Sequence, residues 1–330
     1  MKNPSLWNKT DLHLHLQHAL ELELWTIPLY LTALYSIKDL KKLKPREYPD
    51  AAKLVFSVVI QEMLHLELVC NISNALGYSP RFSSPVYDQQ KGIPFIHPSK
   101  NNLPEFLKGY SVKPQALNEN SLKLFCAIEL PYPQKEIVWD KEKSVHSIAE
   151  LYEALKLGIL ALWDECYVGD KNNTKQKSVF NEYHNEEGKS HGFSQTVHSP
   201  ATALKAIEAI IEQGEGADSK KVPSDFRPPI PAEGKEYDAS WFKGHLSHYQ
   251  KFRLLIHSHH KLPPVYMEIP GKNNIAAELA LHEAFTDFLK EMENGFNSDG
   301  LVMEISFWKK MYALSASITE LWEAGICPSF

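Results

Sequence analysis

Apolar residues recur at three- and four-residue spacings along most of the chain, which predicts a mainly helical protein. The clearest case is the segment 50–76, which is apolar around most of its circumference and stops at Gly77. Strand-like alternation is weak and predicts at most a short pair near 178–183 and 191–197. The helices predicted by the spacing are 9–40, 50–76, 119–129, 148–164, 201–213, 239–259, 274–294 and 301–324.

Two long stretches between these helices, 78–117 and 165–200, lack a helical or strand period. The first is rich in Pro, Gly, Ser and Asn, and the second is polar, so both are predicted to be irregular crossover loops. Neither a repeat nor a shift in composition marks a domain boundary. We therefore predict one domain over 1–330, a mainly α helical bundle with long irregular loops and extra C-terminal helices over 274–324.

The apolar helix 50–76 carries a carboxylate and an imidazole in its middle, at Glu62 and His65. At about 3.6 residues per turn, both share a face with Val58 and Val59 and should point into the core. Burying an isolated carboxylate costs several kcal/mol, so Glu62 needs a partner. A metal ion is such a partner, and Glu-x-x-His facing the inside of a bundle is the ligand pattern of dinuclear iron or manganese sites.

A dinuclear site of this kind takes single glutamates from two helices and a Glu-x-x-His motif from each of two others. In the first helix, Glu23 shares its face with apolar residues, whereas Glu21 has more mixed neighbours, so Glu23 is the better candidate. In the helix 239–259, His245 and His248 stand three residues apart on an aromatic face, where Glu-x-x-His is expected. Two imidazoles at this spacing can bind one metal ion.

The remaining helix offers two candidate carboxylates, Glu153 and Glu212. Glu212 is favoured because it ends the helix 201–213, and antiparallel packing would place it beside His245. The predicted metal ligands are Glu23, Glu62, His65, Glu212, His245 and His248, and the pattern assigns no separate catalytic residue.

Composition excludes several other functions. The chain has 330 residues and a formal net charge of −6, which does not favour nucleic-acid binding. Its four cysteines are widely spaced and form no Cys-x-x-Cys pair, so a thiolate zinc site is disfavoured and a reducing cytoplasm is the expected compartment. Charged residues interrupt every long apolar run, so no membrane-spanning segment is expected.

The run 20–37, from Leu20-Glu21-Leu22-Glu23 to Ile37, resembles the opening of the ferritin-like family of the iminophenyl-pyruvate dimer synthase type. Similar stretches are scattered over most of the chain, and the first of them is the most specific. They are 62–66 through 74–77, the turn Ile128-Glu129-Leu130-Pro131, the segments 150–154 and 211–216, and His248-Tyr249-x-x-Phe252.

The resemblance implies a ferritin-like bundle in which Glu23, Glu62, His65, Glu212 and His248 occupy ligand positions. The chain departs from the family at His245, where the family usually has glutamate. One negative charge is then missing from the site. In place of a symmetric di-iron centre, the site could then hold a single iron ion, an asymmetric pair of ions, or another transition metal such as copper or zinc.

The expected function is that of a non-haem metal-dependent oxidase or oxygenase, with one or two iron ions and a small amino-acid-derived or natural-product substrate. Dioxygen and an electron donor would be its other partners, and the protein could form a homo-oligomer. One alternative is the oxidative coupling of two 2-imino acids, as the resemblance suggests. The other is a metal-binding bundle without catalytic activity.

Overall fold

The computed structural model describes residues 2–95, 107–131, 145, 147–179, 195–214, 246–258 and 261–330. Within these residues the chain forms eight α-helices and no extended strand, which confirms the predicted mainly helical class. The helices are α1 (Lys9–Tyr35), α2 (Asp50–Ala75), α3 (Glu119–Ile128), α4 (Ile148–Cys166), α5 (Pro200–Gly214), α6 (His248–His257), α7 (Ile275–Asn297) and α8 (Ile305–Glu323).

Helix α2 is the central element of the bundle. It packs along α1 and also contacts α5, α6 and α7, so nearly all of its residues after Glu62 are buried. By length and composition α2 could cross a membrane, but 78% of its most apolar window is buried inside the protein. A continuous apolar helix in the middle of a packed bundle has this pattern of burial.

The other helices surround this pair. Helix α4 packs on α1, and α5 packs on both α2 and α4. Helices α3 and α6 pair with each other, and α6 also contacts α2 and α5. The C-terminal helices α7 and α8 form a hairpin, in which α8 packs on α1 and α7 on α2. Six helices from distant parts of the sequence therefore meet around the buried middle of α1 and α2.

Helix α1 ends at Tyr35, five residues before its predicted end. The chain instead forms hydrogen bonds with a distant segment: the Lys38 amide donates to the Pro264 carbonyl, and the Tyr266 amide donates to the Ser36 carbonyl. The indole of Trp322 on α8 also donates to the Thr32 carbonyl, 3.0 Å away. These partners are more than 200 residues away in sequence, so local periodicity did not predict the end of α1.

Helix α6 begins at His248, nine residues after the predicted start at 239. Ser247 is its N-cap: the Gln250 amide donates to the Ser247 hydroxyl, and the Ser247 amide donates to the Gln250 side chain. This reciprocal capping box satisfies backbone donors that a longer helix would have used internally. Of the predicted helix 239–259, residues 239–245 and 259 lie outside the described residues.

The predicted irregular loops agree with the structure where it describes them, over 78–95, 107–117 and 167–179. The short strand pair predicted near 178–183 and 191–197 falls mostly on residues outside the described ranges. Helix α8 starts at Ile305 instead of 301, because the preceding residues pair with another loop. The Ser178 amide donates to the Leu301 carbonyl, and the Gly300 amide donates to the Thr174 carbonyl.

Candidate metal centre

The structure brings together four of the side chains selected from the sequence, those of Glu23, Glu62, His65 and His248. All are buried, with exposed fractions of 3% or less. Nδ1 of His65 lies 3.2 Å from Oε2 of Glu23, and Nδ1 of His248 lies 2.8 Å from Oε1 of Glu62. Ligand atoms of Glu62, His65 and His248 all lie within 4.8 Å of one another. One ion could therefore contact all three side chains.

A further carboxylate in this cluster, Glu129, was missed from the sequence. It is the C-cap of α3, it is 2% exposed, and its Oε1 lies 3.6 Å from Nδ1 of His248. The only sequence signal was the Ile128-Glu129-Leu130-Pro131 turn, which indicates the end of a helix. A carboxylate at a helix C-terminus is electrostatically unfavourable. A buried carboxylate in that position calls for a positive charge beside it.

Two predictions are corrected on the neighbouring helices, each by one position. Glu212 is exposed on α5, and Gln213 faces the cluster instead, with its Oε1 3.1 Å from Nε2 of His65. The buried face of α5 passes through Ile207, Ile210 and Ile211, which turns Glu212 toward solvent. The alternative candidate on α4, Glu153, is only half-buried and pairs with Lys156.

Tyr152, which precedes Glu153 on α4, is the residue that reaches the cluster, and its hydroxyl donates to Glu23 across 2.5 Å. The other predicted ligand, His245, lies outside the described residues.

Hydroxyl groups hold all three carboxylates of the cluster. Tyr152 donates to Oε1 of Glu23, Tyr30 donates to Oε1 of Glu129 across 2.7 Å, and the Thr26 hydroxyl lies 2.8 Å from Oε2 of Glu62. Because each carboxylate has a partner outside the cluster, its remaining oxygen atoms can face the centre. Fixed carboxylates of this kind define where a cation would bind.

Three carboxylates in one buried cluster repel one another. Burial and the nearby charges of Glu129 and Glu23 raise the pKa of Glu62 well above its ordinary value. The Thr26 hydroxyl lies 2.8 Å from Oε2 of Glu62 and 2.8 Å from the Glu23 backbone carbonyl, and it can donate its single hydrogen to either oxygen. The raised pKa favours the protonated form of the Glu62 carboxyl more strongly than in an exposed glutamate.

The imidazole of His248 has an unused nitrogen atom. Its Nδ1 is buried and forms no hydrogen bond with the described part of the chain, although Oε1 of Glu62 lies 2.8 Å away. Burial lowers the pKa of His248, so the neutral ring is favoured. A buried lone pair facing carboxylate oxygen atoms is costly unless a cation lies between them. This arrangement fits a metal ligand better than a hydrogen-bonded core histidine.

The enclosed space is small. The cavity measures about 10 Å³ and is lined by Glu23, Glu62, His65, Glu129, Ile148, Ile210 and Gly214. That volume is about what one water molecule or one ion requires. Gly214 keeps the space open, because a Cβ atom there would lie 3.3 Å from Oε2 of Glu129. Carboxylates and imidazoles suit several transition metals, including iron, manganese and zinc.

Comparison with known proteins supports the ferritin-like fold. The structure matches a crystal structure of a ferritin like protein from Caulobacter vibrioides, determined at 1.95 Å resolution, with a TM-score of 0.74 and 27% sequence identity. The match covers 98% of this chain and 99% of that chain. No curated protein matches the sequence significantly. The model of the ferritin-like family matches residues 16–257, a range that includes every residue of the cluster, and the chain therefore belongs to the ferritin-like family.

Proposed function

We propose that the protein is a non-haem, iron-dependent oxidoreductase. The observation that carries the proposal is the convergence of Glu62, His65 and His248 within 4.8 Å in a buried position. Glu23 and Glu129 complete the set, which then offers three carboxylates and two imidazoles to one or two ions. The unpartnered Nδ1 of His248 supports a ligand role over simple packing.

The side chains have separate roles in this proposal. His65 and His248 would supply neutral nitrogen ligands, and Glu23, Glu62 and Glu129 would balance the charge of the metal. Bound iron would supply the redox chemistry for oxidation by dioxygen. Tyr30, Tyr152 and Thr26 hold the carboxylates in place, while the small cavity limits the water that reaches the site.

We propose a small amino-acid-derived or natural-product molecule as the substrate, with a separate electron donor. The proposal rests on the resemblance of the run 20–37 and of the Glu62 and His65 region to the dimer synthase type of ferritin-like proteins. The cavity of about 10 Å³ is too small for an organic molecule. The substrate would therefore react from outside the ring of ligands.

Oxidative coupling of two 2-imino acids is the narrower form of this proposal. An amino-acid oxidase can generate the imino acids in the presence of the iron-loaded protein, and mass spectrometry distinguishes the products. A product of twice the monomer mass, minus hydrogen, supports coupling. An oxidised or oxygenated monomer supports a simple oxidase or oxygenase. A metal-binding bundle without catalytic activity would yield neither product.

Iron loading tests the proposal as a whole. The purified protein is loaded with Fe(II) under anaerobic conditions, desalted and analysed for metal, beside the variants Glu62→Gln and Glu212→Gln. We expect one or two iron ions per chain in the wild type and in Glu212→Gln, because Glu212 is exposed. We expect a large loss of iron in Glu62→Gln. Only trace metal in the loaded wild type would refute the proposal.

A further inference from the structure

A buried lysine stands behind the histidine ligand of α6. Lys251 lies one turn after His248 and is 7% exposed. Its Nζ lies 2.5 Å from Oε1 of Gln61, the residue that precedes Glu62 on α2. The same Oε1 atom lies 3.2 Å from Nε2 of His248. One amide oxygen thus joins the lysine to the outer nitrogen of the imidazole.

The lysine determines which way the Gln61 amide faces. A side-chain amide has an oxygen end that accepts and a nitrogen end that donates, and the two ends are nearly equal in shape. Burial lowers the pKa of Lys251 to about 7, against the attraction of the Glu129 and Glu62 charges. Below that pH the side chain is an ammonium group, which can only donate, and Lys251 then requires the oxygen of Gln61 to point toward it. That oxygen must then also accept from His248, which places the imidazole hydrogen on Nε2.

We propose that Lys251 and Gln61 are positioning residues that hold His248 in the Nε2–H tautomer, so that the lone pair on Nδ1 faces the metal. A neutral imidazole carries one hydrogen, and with that hydrogen on Nε2 the other nitrogen is a bare acceptor. Nδ1 is the atom that lies 2.8 Å from Glu62 and 3.6 Å from Glu129 without a hydrogen-bond partner. This inference rests on the metal site proposed above.

The second histidine provides an internal comparison. Nε2 of His65 lies 3.1 Å from Oε1 of Gln213, which resembles the contact of His248 with Gln61. However, among the described residues the buried amide nitrogen of Gln213 has no hydrogen-bond partner, and its oxygen contacts no cationic side chain. The amide can turn over, and His65 can then donate from Nδ1 to Glu23, 3.2 Å away. Lys251 and Gln61 therefore fix the tautomer of His248, whereas His65 remains free to change tautomer.

Nitrogen NMR of the metal-free protein tests the proposal directly. Long-range proton–nitrogen correlations of the ¹⁵N-histidine-labelled protein report which ring nitrogen carries the hydrogen, and His248→Gln assigns the signals. We expect only the Nε2–H form at His248 in the wild type and a mixture of forms in Lys251→Met. The control Lys123→Met removes a lysine that forms an ion pair with the exposed Glu119, and it should leave His248 unchanged.

Metal affinity gives a second readout, with Co(II) as the probe. Loss of an outer partner of a metal-bound histidine typically costs about 10- to 100-fold in affinity, and we expect this loss in Gln61→Leu. Gln61→Glu keeps an acceptor oxygen in the same place and should restore both the tautomer and most of the affinity. Equal affinity in Gln61→Leu and the wild type would contradict the positioning role.

A hydrogen on Nδ1 of His248 in the metal-free wild type would overturn the inference, even if the substituted variants failed to fold. That result would leave the proposed function standing, provided that the wild type binds Co(II) or Fe(II). Conversely, a wild type that binds no metal but shows the Nε2–H form at His248 would refute the proposed metal site. The fixing of the His248 tautomer by Lys251 and Gln61 would still stand.

Discussion

Glutamate 129 allows the sharpest test of the site, because its removal should change stability and metal binding in opposite directions. The nearest oxygen atoms of Glu62 and Glu129 lie 2.8 Å and 3.6 Å from the same atom, Nδ1 of His248. These oxygen atoms are therefore no more than about 6 Å apart. At an effective dielectric constant near 20, two full charges at that distance repel by about 3 kcal/mol.

The variant Glu129→Gln removes this repulsion while nearly preserving the shape of the side chain. It also weakens the hydrogen bond from Tyr30, at a cost of about 1 kcal/mol. The raised pKa of Glu62 and the attraction between Glu129 and Lys251 each offset part of this repulsion in the wild type. We therefore expect the metal-free variant to be more stable by about 1 to 2 kcal/mol. Its affinity for Fe(II) or Co(II) should fall by more than the roughly 10- to 100-fold loss that outer partners cause.

Urea denaturation in the presence of a chelator gives the free energy of unfolding, and anaerobic titration with Co(II) gives the affinity. Glu212→Gln is the matched control, since the same chemical change occurs on an exposed residue and should alter neither quantity. A Glu129→Gln protein that is less stable than the wild type and yet binds metal equally well would refute the reasoning. Glu129 would then be a structural cap of α3 and not a ligand.

Other predictions address the carboxylates and the missing ligand. Tyr152→Phe removes the hydroxyl that donates to Glu23 and should lower the free energy of unfolding, measured by urea denaturation, by about 1 to 3 kcal/mol. The control Tyr167→Phe removes an exposed hydroxyl and should lower it by less than about 0.5 kcal/mol. Because the pKa of Glu62 is raised from its ordinary 4.5, a metal ion must displace a proton from this carboxyl. Co(II) affinity measured between about pH 6 and pH 8 should therefore rise by about tenfold per pH unit for each proton displaced. A flat profile would contradict the raised pKa. His245→Glu introduces the residue that the resemblance to the dimer synthase type implies at this position, and the variant should bind one more iron ion per chain than the wild type by elemental analysis. Equal iron content would show that this position does not limit the number of ions.

The candidate ligands on α2 could be predicted from sequence because a carboxylate and an imidazole stand on a helix face that is otherwise apolar. Glu23 was identified by the same contrast with its neighbours. His248 was found from its aromatic surroundings, although the helix assumed to carry it begins later than predicted. In each case the sequence showed a polar group where burial was required.

The α5 contribution could not be predicted, because the end of a short helix gives too few residues to determine which face is buried. Glu212 and Gln213 differ by about 100° around the helix, and the exposed one has the more attractive chemistry. Glu129 was hidden because a glutamate before Leu130-Pro131 is ordinary at a helix end. The neutral partners Gln61, Gln213 and Tyr152 had no signal, since only the packing of separate helices places them beside the ligands.

The hydrogen bonds that end α1 have a consequence for where the protein can be divided. The family match stops at residue 257, yet the Pro264 and Tyr266 backbone groups and the Trp322 indole that pair with the end of α1 all lie beyond it. A fragment cut at the edge of the family match would leave the helix of Glu23 with unpaired backbone groups and an uncovered apolar face. A fragment designed to express the candidate metal centre should therefore retain residues 258–330, beyond the limit of the family match.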